Sequence, residues 1–201
     1  MARCYSEAVS KRHPSVTSRF QFRPRFQSRA GPQSWPRLWL LSDARNDATL
    51  EQALRRLPQG SGFVFRHYHL PMAERRVRFR MLARLCRARG IVLALAGTAG
   101  EARRWGADIA YGRGEGLGTA HSLRELRKAM GRARAVMLSP VHATRTHPGA
   151  KTLGPVRFLL LAKASPVPVI ALGGMTKQRA FAFSQCRQVY GWAAIDGLSF
   201  T

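Results

Sequence analysis

From Leu38 onward the chain alternates short, almost wholly apolar runs with longer stretches whose apolar residues recur every three or four positions. Apolar runs of this length fit strands buried on both faces, and the amphipathic stretches fit helices laid over such a sheet. Strands are expected at Leu38–Leu41, Phe63–Arg66, Ile91–Ala96, Ile109–Tyr111, Leu117–Ala120, Ala135–Leu138, Val167–Leu172 and Tyr190–Ile195. Helices are expected near Thr49–Leu57, Met72–Arg89 and Ala99–Trp105, and at Leu123–Met130, Pro155–Ala164 and Lys177–Gln185. In Met72–Arg89 the apolar positions Val77, Met81, Leu85 and Ala88 are spaced by three or four, with arginines on the other face and Gly90 as the stop. Ser122 with Glu125 three residues on reads as a capping box for the helix that follows.

Eight strands alternating with helices predict an α/β fold, a (β/α)8 barrel. The alternation fails at two places. Seven residues separate Tyr111 from Thr119. That is too few for a helical crossover between parallel strands, so the fourth helix is deleted. Six residues follow Ile195, so the eighth helix is missing or reduced to a stub.

A chain of 201 residues, 45% of them apolar, suits one well-buried core. No apolar run approaches the ~18 residues a membrane span needs. Cys4, Cys86 and Cys186 are far apart and form no CxxC pair, which argues against a disulfide framework or zinc knuckle and suits a reducing cytoplasm. Residues 1–36 are rich in Ser, Arg and Pro, with Glu7 their sole acid; they read as a basic extension without fixed structure, in the manner of a transit-like leader or of an upstream start. Residues 37–201 form the barrel.

The net charge is +24, from 34 basic and 10 acidic residues. Such a chain attracts polyanions in general. The excess is spread along the whole length, however, and neither an RNA-binding motif nor a stacking platform accompanies it, so specific nucleic-acid binding is not expected.

The densest chemistry lies in Ser139–Gly154, SPVHATRTHPGAKTLG, and in Val167–Met175, VPVIALGGM. An apolar strand opens into a loop bearing Thr144, Thr146 and His147; a second, β-branched strand ends in Gly173-Gly174. Strand ends with polar or glycine-rich loops are what a barrel uses to hold a phosphorylated ligand. In spacing and residue types the chain resembles the thiamine-phosphate synthase and thiazole tautomerase superfamily, over roughly Leu38 to Leu198 and most densely in 117–174. The resemblance implies coupling of hydroxymethylpyrimidine pyrophosphate to thiazole phosphate with loss of pyrophosphate. The alternatives are a metal-independent thiazole tautomerase and a non-enzymatic phosphate-ester binder. It implies phosphorylated small molecules as partners, with the oligomeric state left open, and Mg²⁺ as cofactor.

Carried over residue by residue, the resemblance assigns Arg66, after the second strand, to pyrophosphate. His121 follows Gly118-Thr119-Ala120 in the family's Gly-x-Ser-x-His pattern, which implies proton transfer by His121 and a phosphate contact by Thr119. Thr144 and Thr146 match the two loop threonines, and His147 stands where lysine is usual. Gly173 and Gly174 match the phosphate cradle, with the Gly197 amide beside it. Each has a plainer reading: a strand-end charge, a capping histidine, Ser/Thr turns or a tight glycine turn. The chain departs from the family at Ala94-Leu95, where an Asn-Asp pair supplies a Mg²⁺ ligand, and at Glu115, which lies in the shortened loop. Asp196 stands where a hydroxyl would meet phosphate, an unfavourable neighbour unless neutralised or turned away. His67 and His69 alternate onto one face of a strand end, but two ligands without a third assign no metal site.

Overall fold

The computed structural model describes residues 35–112, 115–145, 149, 151–196 and 198. The expectations for residues 1–34, for Thr146, His147 and Gly197, and for an eighth helix after residue 198 lie outside the described residues. The strands are β1 Leu38–Leu41, β2 Gly62–Phe65, β3 Val92–Ala96, β4 Ile109–Gly112, β5 Gly116–Ala120, β6 Ala133–Leu138, β7 Val169–Ala171 and β8 Val189–Ala194. They pair in parallel in sequence order, and β8 returns to β1 to close the barrel. The helices are α1 Leu50–Arg56, α2 Met72–Arg89, α3 Ala99–Trp105, α4 Leu123–Met130, α5 Gly154–Lys163 and α6 Lys177–Phe181, with a 3-10 helix at Ala44–Thr49 before α1.

Burial on both faces explains the uninterrupted apolar strands. Trp39, Leu41, Val64, Ala94, Met137, Ile170 and Ala193 fill the barrel interior. Trp35 belongs to the same cluster, and its carbonyl accepts the Tyr190 hydroxyl at 2.8 Å, so packed structure begins just ahead of β1. Outside the barrel, Leu40, Phe63, Phe65 and Leu93 meet α1 and α2, while Val136, Leu138, Val169 and Ala171 meet the α5 residues Phe158 and Leu161.

Three local expectations are revised. On α2 the buried positions are Arg75, Phe79, Leu82, Ala83 and Cys86, whereas Val77 and Met81 are exposed. Two stripes of helical period overlap in this segment. The barrel selects the one carrying Phe79, whose truncation to Ala would cost about 3–5 kcal/mol. At α4 the Ser122 hydroxyl accepts the Glu125 N–H, but the Glu125 carboxylate reaches back to the His121 N–H at 2.9 Å rather than to that of Ser122. The last helix, α6, ends at Phe181 rather than Gln185.

Among the described residues no helix lies between β4 and β5, as their short connection requires. β4 and β5 nonetheless pair directly in parallel, Tyr111 beside Leu117 and Gly112 beside Gly118. Glycines at positive φ stand at the two ends of the connection, Gly112 at 132° and Gly116 at 105°. A Cβ on Gly116 would lie 2.7 Å from the Ala110 carbonyl oxygen, so no other residue fits there without displacing backbone.

Candidate active site

The C-terminal ends of the strands open into one cavity of about 1240 Å³. Active sites of this architecture form at that end of the barrel. The structure brings Arg66, Thr119, His121, Thr144, Gly173 and Gly174 together around the cavity, although they come from β2, β5, β6 and β7. Glu115 is exposed and does not line it.

The β7 end is shaped by close backbone approach. Gly173 and Gly174 both have positive φ, 97° and 59°. A Cβ would lie 2.6 Å from the Pro140 Cα at Gly173 and 2.4 Å from the Ala143 carbonyl oxygen at Gly174. The turn therefore presses against the loop after β6, and the His142 N–H donates to the Gly173 carbonyl at 3.0 Å. The Arg179 guanidinium bonds the Gly174 carbonyl and faces the same cavity.

His121 leaves β5 with its ring held by the β6 end. Its Nδ1 lies 3.0 Å from the Ser139 carbonyl oxygen and 3.2 Å from the Ser139 hydroxyl. A carbonyl accepts only, so Nδ1 carries the proton and, in the neutral ring, Nε2 keeps a lone pair. Tyr111, at the end of β4, is buried, and burial pushes its phenol up to about 12. It faces the cavity as a neutral hydroxyl at ordinary pH.

Arg66 is braced from the β1 side. Its Nε donates to the Ser42 carbonyl at 2.8 Å, one terminal nitrogen pairs with Asp43 at 2.8 Å, and its backbone N–H donates to the Ser42 hydroxyl at 2.7 Å. Burial alone would raise the Asp43 pKa, but the Arg45 hydrogen bond and the Arg45 and Arg66 charges hold it below the usual carboxylate range. Arg45 also reaches Asp196 at 3.2 Å. The carboxylate that stands where a hydroxyl was expected is thus paired with a cation from across β1.

Several cavity residues were not singled out from the sequence: Arg145, Lys151, Arg179, Tyr111 and Glu101. Arg145 and Lys151 lie in the same loop as Thr144, so the loop motif was their signal. Arg179 and Tyr111 had none, because nothing local distinguishes them from the chain's many other arginines and strand residues. Arg75 supports the site from beneath the rim. Read as a solvent-facing charge, it is buried, donating to the carbonyls of Arg66 at 2.8 Å and Ala96 at 2.9 Å, with the rings of Phe65 and Trp105 at 5.7 and 5.2 Å. It ties the end of β2 to the end of β3.

The donor set does not suit a protein-held Mg²⁺, which needs oxygen ligands in near-octahedral order. Ala94 and Leu95 are interior residues of β3; the strand ends at Ala96, followed by Gly97 and Thr98, which bring no carboxylate. The acid nearest that end, Glu101, spends its Oε2 on the backbone N–H and hydroxyl of Thr98 at 2.7 and 2.8 Å, and the Thr98 bonds hold its pKa low.

Residues 116–198 match the model of the thiamine monophosphate synthase family. No curated protein matches the chain. Among solved structures, thiamine phosphate pyrophosphorylase from Pyrococcus furiosus superposes with a TM-score of 0.65 at 19% identity, covering 79% of this chain and 85% of the other. Thiamine phosphate pyrophosphorylase from Bacteroides thetaiotaomicron superposes with a TM-score of 0.53 at 14% identity, covering 79% and 82%. At these identities the superpositions speak for the barrel alone.

Proposed function

We propose that this chain, a member of the thiamine-phosphate synthase and thiazole tautomerase superfamily, joins a pyrimidine methyl pyrophosphate to a thiazole phosphate. The observation that carries this reading is that two kinds of anion-adapted group line one cavity. The glycine turn of β7 and the adjoining β6 loop, with Arg145 and Lys151, come from one part of the barrel, and Arg66 comes from β2. A phosphate monoester needs close backbone N–H groups, and Gly173-Gly174 leave room for them. A departing pyrophosphate needs cations where negative charge develops, which is where electrostatic catalysis acts.

In this scheme the methylene–oxygen bond of the pyrimidine substrate breaks, and its electron pair leaves with pyrophosphate. The thiazole ring nitrogen then bonds to the methylene carbon. Arg66, held in place by Ser42 and Asp43, and Lys151 stabilise the leaving group. Thr144 and the Tyr111 hydroxyl orient substrate oxygens. Because the residues present do not make a Mg²⁺ cage, no step is assigned to that ion.

One observation favours a second reading. The fixed Nδ1–H of His121 leaves Nε2 as a proton acceptor in the cavity, as a tautomerase acting on thiazole phosphate would require. The experiment that separates them supplies purified protein with both substrates, with and without Mg²⁺, and measures thiamine phosphate and pyrophosphate. Stoichiometric formation of the two products supports the synthase. Absence of both, with proton exchange on thiazole phosphate that His121→Ala abolishes, replaces it by the tautomerase. Absence of both activities leaves a phosphate-ester binder.

A further inference from the structure

Outside the cavity, the rim between β1 and β2 gathers a second set of ionisable groups. His67 and His69 leave the end of β2, not by strand alternation but through a turn that begins at His67, a non-glycine residue with φ of 41°. The 3-10 helix after β1 brings Asp47 to them. One ligand atom from each of Asp47, His67 and His69 lies within 4.8 Å of the others. We propose that these three residues bind a zinc-class divalent transition metal, which staples the β1 loop to the β2 loop.

The donors fit that class. Two imidazoles and a carboxylate suit zinc, nickel or copper, and suit Mg²⁺ or Ca²⁺ poorly. Zinc–nitrogen bonds of 2.0–2.1 Å place tetrahedral ligands about 3.3 Å apart. His67 Nε2 and Asp47 Oδ1 are already 2.8 Å apart, and His69 is exposed and free to swing inward.

His67 is built as an anchored ligand. Its side chain is fully buried, its ring stacks on Phe65 at 4.5 Å with 5° between planes, and its Nδ1 lies 2.8 Å from the Ser42 hydroxyl. Metal-binding histidines are characteristically fixed by a partner on the second ring nitrogen. The proton balance closes without an outside base. In the metal-free form Nε2–H donates to Asp47; with metal on Nε2 the proton sits on Nδ1 and donates to Ser42.

Arg78 does not block the site. It donates through Nε to Asp47 Oδ1 at 2.8 Å and pairs also with Glu51. Metal on Nε2 replaces the Nε2–H bond to Oδ1, so Asp47 binds through the neighbouring Oδ2 while Oδ1 keeps its bond to Arg78, a common outer-shell arrangement. The two acids outnumber the one guanidinium locally, in a chain whose overall charge repels cations.

The test uses full-length, tag-free protein stripped with chelator and dialysed against Zn²⁺. About one equivalent is expected to be retained, with a rise in Tm, because binding to the native state alone stabilises it. Co²⁺ in its place is expected to give the visible absorption of a nitrogen-ligated site. His69→Ala alters an exposed side chain and leaves the fold intact; it should weaken Zn²⁺ retention on the order of tenfold or more and remove the Co²⁺ band. His142→Ala, elsewhere on the rim, should change neither. Failure to retain Zn²⁺, or equal retention by wild type and His69→Ala, overturns the proposal. Neither result bears on substrate turnover, so the synthase reading is judged separately.

Discussion

The two halves of the barrel build their share of the rim by different means. From β5 to β8 the site is made of backbone: a glycine turn pressed onto the β6 loop, a carbonyl that fixes His121, and a loop that brings Thr144 to the cavity. From β1 to β4 it is made of paired side chains: Asp43 with Arg45 and Arg66, Asp47 with His67 and Arg78, and Arg75 on two carbonyls. The family match covers 116–198 and stops where the second kind of construction begins. Backbone geometry needs glycine or a fixed spacing at fixed places and so leaves a strong sequence pattern. A network of ion pairs can be met by many residue combinations. In this chain the rim of the first half is held by a web of arginine–carboxylate pairs.

That contrast predicts where damage will be greatest. Gly174→Ala forces a Cβ onto the Ala143 carbonyl at positive φ, so it should cost more than about 1 kcal/mol of stability. Binding of thiazole phosphate, followed by calorimetry, should be lost with it. Retained affinity would show that the backbone half does not hold the phosphate.

Arg66→Ala removes a charged donor from the side-chain half. One charged hydrogen bond is worth about 1.5–3 kcal/mol, so kcat/KM for thiamine phosphate formation should fall roughly 10- to 100-fold. Glu115→Ala, on an exposed residue away from the cavity, should leave kcat/KM near wild type. The reverse order would move the pyrophosphate site out of the β2 side.

Asp196→Ser tests the junction of the two halves. Removing this partly exposed carboxylate leaves Arg45 with Asp43 and takes a like charge away from the phosphate, so phosphate-ester affinity should rise by a few-fold at low salt, and less at high salt. Unchanged affinity in a salt titration would mean that Arg45 already cancels the charge.

The smallest effect expected is on the pH dependence of stability. Burial pushes the His67 pKa below its ordinary value, against the pull of the Asp47 hydrogen bond. A histidine with a lowered folded-state pKa binds fewer protons folded than unfolded. Its contribution to stability is therefore full above the unfolded value of about 6.5 and declines as pH falls through that value. Denaturant unfolding from pH 8 to pH 5 should show this decline, reduced in His67→Gln. A remainder is expected from His142, whose pKa burial also lowers. An unaltered slope in the variant would remove His67 from the account.

The sequence by itself determined the barrel. Strands buried on both faces must be apolar throughout, and each expected strand falls within two residues of its observed position because that demand is local. It also determined that no helix fits between β4 and β5, since chain length alone forbids one, while the resemblance of its motifs to a family pointed to His121, Thr144 and Gly173-Gly174, which line one cavity. Only the tertiary structure decided which stripe of α2 is buried, because two stripes of the same period differ only in what they meet. It alone paired Arg45 with Asp196, placed Arg75 beneath the rim and carried Asp47 to His67. Those contacts join side chains from separate strands, and the pairing of a charge is set by the distance the closed barrel imposes.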